Sequence, residues 1–320
     1  MSTLNDAGLA LLPEQQQRVL DAQDGASWGD IAHLLHIQIK GALDVSRLQA
    51  ALNGLSQRHT ALLARLATAP GYRGLRQFFE AGAANVALAV DESSDTTQVL
   101  VQWCQRPVSL ASRVFFEGLL QRIDAQHWQL TLGLAGFVGD QASLGILYQD
   151  LCTAYEQGSC AVDEELGQFA QYLEWHAEVV LDEDADTAKA YWQACLPSTG
   201  VLAPELPVRY ADTAPGKAGG QTLTAALDPR VLERLSQLAA QHNTPVTTLL
   251  QAAWWVLLAR VSGREGFVAG LRHDARQDYE FFAPTVGLLE RTLPLNLNLA
   301  PTASFTRVLA ELTGVLETHG

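Results

Sequence analysis

Residues 128–158 prescribe a strand, a tight loop and a helix in direct succession, which restricts the chain to folds in which a sheet runs straight into a packed helix. Leu130, Leu132 and Leu134 alternate with Gln129, Thr131 and Gly133, the period of a strand with one apolar face. Ala135, Gly136, Phe137, Val138 and Gly139 then break the alternation. Ser143 reads as the N-cap of a helix bearing Leu144, Leu147, Tyr148, Leu151 and Tyr155, with Gly158 as its C-terminal stop.

Similar signals punctuate the rest of the chain. Asp44 caps a helix whose stripe is Val45, Leu48, Leu52 and Leu55. A helical pattern from Glu164 to Cys195 carries Phe169, Tyr172, Leu173, Trp175 and His176, then Tyr191 and Trp192, and is interrupted by the acidic run Asp182, Glu183, Asp184. Residues 197–220 are rich in Pro and Gly and are expected to link two lobes, 1–196 and a second over 221–320. Beyond the linker, Asp228-Pro229 and Thr244-Pro245 each join a capping side chain to a proline and predict two helix starts. The second helix, Val246 to Val261, is apolar nearly all round and is expected to be buried, with Trp254 and Trp255 in its core. Phe267–Gly270 and Leu293–Leu299 are expected strands, and Ser304 caps a last helix with Phe305, Val308, Leu309, Leu312 and Leu316 facing inward.

Composition removes several function classes. A net charge of −14, with lysine only at 40, 189 and 217, opposes nucleic-acid binding, which needs a basic surface. The longest apolar run, around Leu249 to Val261, is broken by Gln251 and Arg260 and falls short of the roughly 20 apolar residues of a membrane span. The acidic start Met-Ser-Thr-Leu-Asn-Asp has no secretory pattern, so a cytoplasmic location is expected. Cys104, Cys152, Cys160 and Cys195 form no CxxC pair and are expected to be buried free thiols, with no metal site. No GxSxG or glycine-rich phosphate loop is present.

Segments in fixed order resemble the motifs of nonribosomal peptide synthetase condensation domains, relatives of chloramphenicol acetyltransferase. Leu11-Leu12-Pro13-Glu14-Gln15-Gln16-Gln17-Arg18 resembles the opening motif. Gly41-Ala42-Leu43-Asp44 with Arg58-His59-Thr60-Ala61-Leu62 resembles GxLD…RHExLR, and Val286 to Leu295 resembles IGxFVNTLPL. Gly133 to Leu144 stands where the family has HHxxxDG. The resemblance implies an α+β fold (α/β sandwich) of two chloramphenicol acetyltransferase-like lobes in a V-shaped pseudo-dimer. The family's second lobe continues past the point matching Gly320, so the second lobe here is expected to be incomplete.

The departures are equally specific. Ala135 and Gly136 replace the two signature histidines, Gln141 replaces the signature glycine, and Asp140 remains. Thr60, Leu63 and Arg291 replace the usual glutamate, arginine and asparagine. The family's second histidine orients or deprotonates an amine attacking a carrier-bound thioester, and neither Ala nor Gly can accept a proton. In the family the aspartate pairs with an arginine to shape the loop; with Leu63 at that position, Arg58 and Arg65 are the candidates nearby in sequence. The resemblance marks Phe137 and Arg291 as tunnel candidates. Asp140 and Ser143 also fit half of the heterocyclisation signature DxxxxDxxS, whose first aspartate falls on Ala135.

His59, His127, His176 and His273 offer no replacement at the sequence level. His59 is expected to be a packed structural histidine. His127 enters the strand early, on the order of 25 Å from the loop along an extended chain. His176 and His273 have no nucleophile partner. The resemblance therefore implies no catalytic residue, no directly bound cofactor, and partners typical of an assembly line: a peptidyl or acyl carrier protein with its phosphopantetheine arm, an adjacent adenylation domain, and a tailoring oxygenase. The leading expectation is a docking platform that has lost catalysis. The alternatives are a divergent acyl transferase that aligns carrier-bound thioesters and moves the proton through a group outside the motif, and a structural spacer for an adenylation domain.

Overall fold

The computed structural model describes residues 7–23, 25–79, 85–93, 95–111, 115–160, 165–182, 185–195, 225–300 and 302–319; the linker expected over 197–220 lies outside them. The chain divides into two compact units. The first comprises Met1–Ala185 and His273–Arg291, the second Asp186–Arg272 and Thr292–Gly320.

In the first unit, β1 (Leu9–Ala10) leads into helix α1 (Pro13–Gln23), the short α2 (Trp28–Ile31) and strand β2 (Ala32–Lys40). Helix α3 (Val45–Arg58), β3 (Ala64–Thr68), β4 (Leu75–Phe79), β5 (Ala87–Asp91), α4 (Thr96–Cys104), β6 (Phe116–Arg122) and β7 (His127–Ala135) follow. Helices α5 (Gln141–Gln157) and α6 (Phe169–Leu181) complete the series. The main sheet has the order β2-β7-β6-β5, with β5 and β6 parallel and the other pairs antiparallel; β1, β4 and β3 form a smaller antiparallel sheet.

The one-faced strand expected at 128–134 is in fact covered on both sides. Leu130, Leu132 and Leu134 are buried, and so is Thr131, whose hydroxyl meets His36 Nδ1 at 2.9 Å. Gly133 faces the other way, beneath Trp28 and Trp103, which meet edge to face. A Cβ there would lie 2.8 Å from each indole, so only glycine lets the two rings close over the strand. Helix α3 packs on α5, burying Leu48, Leu52 and Leu55 against Leu144, Leu147 and Leu151.

In the second unit, α7 (Ala185–Cys195) precedes α8 (Pro229–Gln241), α9 (Val246–Ser262), β8 (Gly266–Asp274), β9 (Glu290–Asn298) and α10 (Phe305–His319). Strands β8 and β9 pair as a two-stranded sheet, and their inner ends carry the chain into and out of residues 273–291. Trp255 stacks on Phe267 at 5.0 Å in a core shared with Leu249, Ala252, Leu295, Leu309 and Leu312. Helix α9 is not buried all round: Trp255 is covered, but Trp254 is 57% exposed and Leu257 49%. Thr244 does not cap it either, since Pro245 occupies the N-cap position. Among the described residues no helix is long and apolar enough to cross a membrane. The four cysteines are free, and the expectation of buried thiols is corrected: Cys152 is exposed and the other three are half-buried.

Candidate functional site

The loop after β7 is held by a buried polar network rather than by packing alone. Asp140, not Ser143, is the N-cap of α5. Its carboxylate accepts the Ser143 amide at 2.9 Å, and the Ser143 hydroxyl lies within hydrogen-bond reach of both the carboxylate and the Asp140 amide, closing a capping box. Ser143 thus sits inside the helix as the cap's reciprocal partner. Gln141 is exposed on the first turn.

The arginine partner of Asp140 is neither Arg58 nor Arg65. Arg276, from the segment between β8 and β9, donates Nη1 to Asp140 Oδ2 at 2.9 Å and Nη2 to Oδ1 at 3.1 Å. Its remaining donors reach the carbonyls of Thr285 and Gly287, the Ser143 hydroxyl and the Asp274 carboxylate. Asp140 Oδ2 also accepts the amides of Leu289 and Glu290. Burial pushes the Asp140 carboxyl up, but the Arg276 charge and the hydrogen bonds from Arg276 and Ser143 outweigh it and hold it below the usual carboxylate range. Burial likewise opposes the Arg276 charge, and Asp140 and Asp274 reverse that effect.

The two expected arginines are engaged elsewhere. Arg58 donates Nε to Asp150 at 3.1 Å, and Arg65 lies over the Phe78 ring. His59 is the packed histidine the sequence indicated, 1% exposed with Nε2 2.7 Å from Asp150. His127 lies at the far end of β7, exposed and paired with Asp124. His273 is paired with Asp278.

Helix α1 supplies what lies against the loop. Gln15, buried, donates to the Phe137 carbonyl at 2.7 Å, and Arg18, three residues on and on the same helix face, reaches Gly136. A Cβ on residue 136 would lie 2.6 Å from Arg18 Nη1, 2.9 Å from the Ile31 carbonyl oxygen and 3.4 Å from His33 Nε2. Arg18 Nη1 is 2.9 Å from His33 Nε2, and Nη2 is 3.6 Å from Glu290 Oε1. The space beside the loop therefore holds a guanidinium backed by an imidazole and a carboxylate.

Phe137 itself is buried edge to face against Phe115. Arg291 donates Nη2 to the Tyr172 hydroxyl at 2.7 Å and Nε at 3.2 Å. Tyr172, stacked on Phe169, is pushed up by burial against the opposing pull of Arg291. His176, one turn further along α6, is lowered by burial and by Arg291, with Glu14 opposing. No group of three or more His, Cys, Asp or Glu side chains is arranged to hold a metal among the described residues.

Arg18, His33, Arg276 and Glu290 were not marked as site residues by the sequence. Arg18 and Glu290 stood inside recognised motifs without being singled out; His33 and Arg276 come close only through strand pairing and the return of residues 273–291.

A family model described as Condensation domain matches residues 16–317. Bacitracin synthase 3 of Bacillus licheniformis is 22% identical over 276 residues, covering 86% of this chain, which spans only 4% of that relative. The crystal structure of the X-domain from teicoplanin biosynthesis superposes with a TM-score of 0.81 at 22% identity, over 96% of this chain and 69% of that one. The complex of the X-domain and OxyB from teicoplanin biosynthesis gives 0.79 at 20% identity, over 97% and 70%. The mixed helix-and-sheet architecture is thus that of solved condensation-type and X-domains.

Proposed function

Because the chain belongs to the Condensation domain family, we propose that it is a condensation-type domain of a nonribosomal peptide synthetase that has given up histidine-driven amide formation and serves as a docking platform. Its partners in this reading are a carrier protein bearing a phosphopantetheine arm, an adjacent adenylation domain and a tailoring oxygenase. No cofactor is bound directly by the domain. The likeness to an X-domain solved in complex with OxyB supports the last partner.

One observation carries the reading: at position 136, where the family has its second histidine, Arg18 fills the volume beside a glycine. An arginine cannot take a proton from an attacking amine, because its guanidinium stays charged at any accessible pH. Asp140 cannot replace the lost base. Its two oxygens accept from Arg276, from Ser143 and from the amides of Leu289 and Glu290, which leaves it as scaffold.

The test supplies donor and acceptor aminoacyl groups on separate carrier proteins and measures amide formation. The platform reading expects no product above the uncatalysed rate, together with retention of a phosphopantetheine-loaded carrier or of the cognate oxygenase by the purified chain. Turnover that depends on a side chain of this domain would overturn it. A chain that retains neither partner would leave the spacer reading.

A further inference from the structure

The cluster beside Gly136 contains a proton acceptor as well as the cation that blocks it. Strand β2 runs antiparallel to β7 with His33 opposite Leu134, which places the imidazole one step before the loop. His33 Nε2 lies 3.4 Å from the point where a Cβ on residue 136 would stand. That is close to the distance separating a histidine's own Nε2 from its Cβ. A second strand therefore puts an imidazole nitrogen in the shell of space where the family's own histidine would carry one.

The chemical state of that nitrogen follows from its neighbour. A guanidinium has donors and no acceptor, so in the 2.9 Å contact Arg18 donates and His33 Nε2 accepts. His33 is then neutral, with its hydrogen on Nδ1 and its Nε2 lone pair directed at Arg18. Arg18 is held in this position from a second side, by Glu290, whose own amide is fixed by Asp140. Glu290 stands where the IGxFVNTLPL pattern has valine, so two departures from the family, at 136 and 290, meet in one side chain. The side chains of Arg18 and Glu290 remain 27% and 16% exposed, so the cluster is open to solvent.

We propose that His33 is a reserve proton acceptor for acyl transfer and that Arg18, anchored by Glu290, keeps it out of use. This inference rests on the reading of the domain as a silenced condensation unit and names what silences it. In the released state an acceptor amine nitrogen attacks the thioester carbonyl carbon, and the new C–N bond replaces the C–S bond. The amine proton passes to His33 Nε2 and from there to the departing phosphopantetheine thiolate, so His33 returns to its neutral form.

The experiment compares the native chain with Arg18→Ala, Arg18→Gln and the Arg18→Ala/His33→Ala double variant, each checked for folding by circular dichroism. Amide formation between loaded carriers is measured alongside modification of His33 by diethyl pyrocarbonate, read by mass spectrometry. General base catalysis supplies roughly 10²–10⁴-fold, so release of the base is expected to raise turnover by at least about tenfold in the Arg18 variants. The double variant is expected to fall back to the uncatalysed rate, and His33 to be modified several-fold faster once Arg18 is gone. Folded Arg18 variants that stay silent, or a gain that survives loss of His33, would overturn the inference. Turnover by the native chain would instead remove the platform reading, whatever the variants do.

Discussion

Arg276 grips both carboxylate oxygens of Asp140 across 136 residues of sequence, and both side chains are buried. The pair does not stand alone. Ser143, Gly287, Leu289 and Glu290 use the remaining hydrogen-bonding positions, so the network joins the cap of α5 to the returning segment 273–291. A fully satisfied buried network of this kind fixes the position of every backbone atom it touches. The aspartate therefore belongs to the frame of the loop.

Replacing Arg276 with Met removes one partner and leaves a buried carboxylate facing an apolar side chain. Breaking such a pair costs about 3–5 kcal/mol, because the remaining charge is neither hydrated nor compensated. Urea unfolding should show the unfolding free energy lowered by that amount, as an earlier midpoint with little change in slope.

The same network sets a pH dependence. The Asp140 carboxyl is held below the unfolded-chain value of about 3.9, so the unfolded chain takes up the proton first as the solution is acidified. The stability it contributes is complete above that value and is lost as pH falls through the folded one. Asp140→Asn should flatten this acid limb in unfolding free energies measured between about pH 5 and pH 2. It should also lower stability at pH 7, since its amide group presents donors where Arg276, Leu289 and Glu290 already donate.

What was legible in the sequence was local. Asp44, Asp228 and Gly158 cap the helices they were expected to cap, with Gly158 left-handed at φ 79°. These signals reside in a few consecutive residues. The assignment of Ser143 as a cap failed because Asp140 accepts the Ser143 amide and starts the helix three residues earlier, which makes Ser143 its third residue. The Asp140 partner failed for a different reason: sequence proximity suggested Arg58 and Arg65, but Arg276 arrives only because residues 273–291 fold back into the first unit. Exposure of Trp254 and Leu257 was equally out of reach, since an all-round apolar helix does not say which face its own unit covers. The cluster of Arg18, His33 and Glu290 needs three separate elements to converge on a glycine, and no periodicity encodes that.

Gly136→Ala tests that convergence directly. The added methyl would meet Arg18 Nη1 at 2.6 Å and the Ile31 carbonyl oxygen at 2.9 Å. Arg18 can swing aside, but Ile31 cannot, because its carbonyl accepts the residue 136 amide at 2.8 Å. Overpacking of this sort costs typically about 1–3 kcal/mol. Thermal unfolding should show the loss, and adding Arg18→Ala should recover only part of it.

His176 reports on Arg291, and the signs can be separated. Burial lowers the imidazole, the Arg291 charge lowers it further, and Glu14 works against both. Its folded value therefore lies below the unfolded value of about 6.5, so the unfolded chain binds the proton first and stability falls as pH drops through that region. Arg291→Met removes one of the two lowering influences and should move the His176 midpoint upward in an NMR titration, with a shallower loss of stability below pH 6.5. Glu14→Gln removes the opposing carboxylate and should move the midpoint downward. Arg291 also pulls Tyr172 down against its burial, so Arg291→Met should raise the phenol midpoint in an ultraviolet titration of the same protein. Opposite movements of His176 in the two variants, with Tyr172 rising in the first, would place Arg291, Glu14 and both rings in one electrostatic cluster. A His176 midpoint that moves in neither variant would show that burial alone governs it.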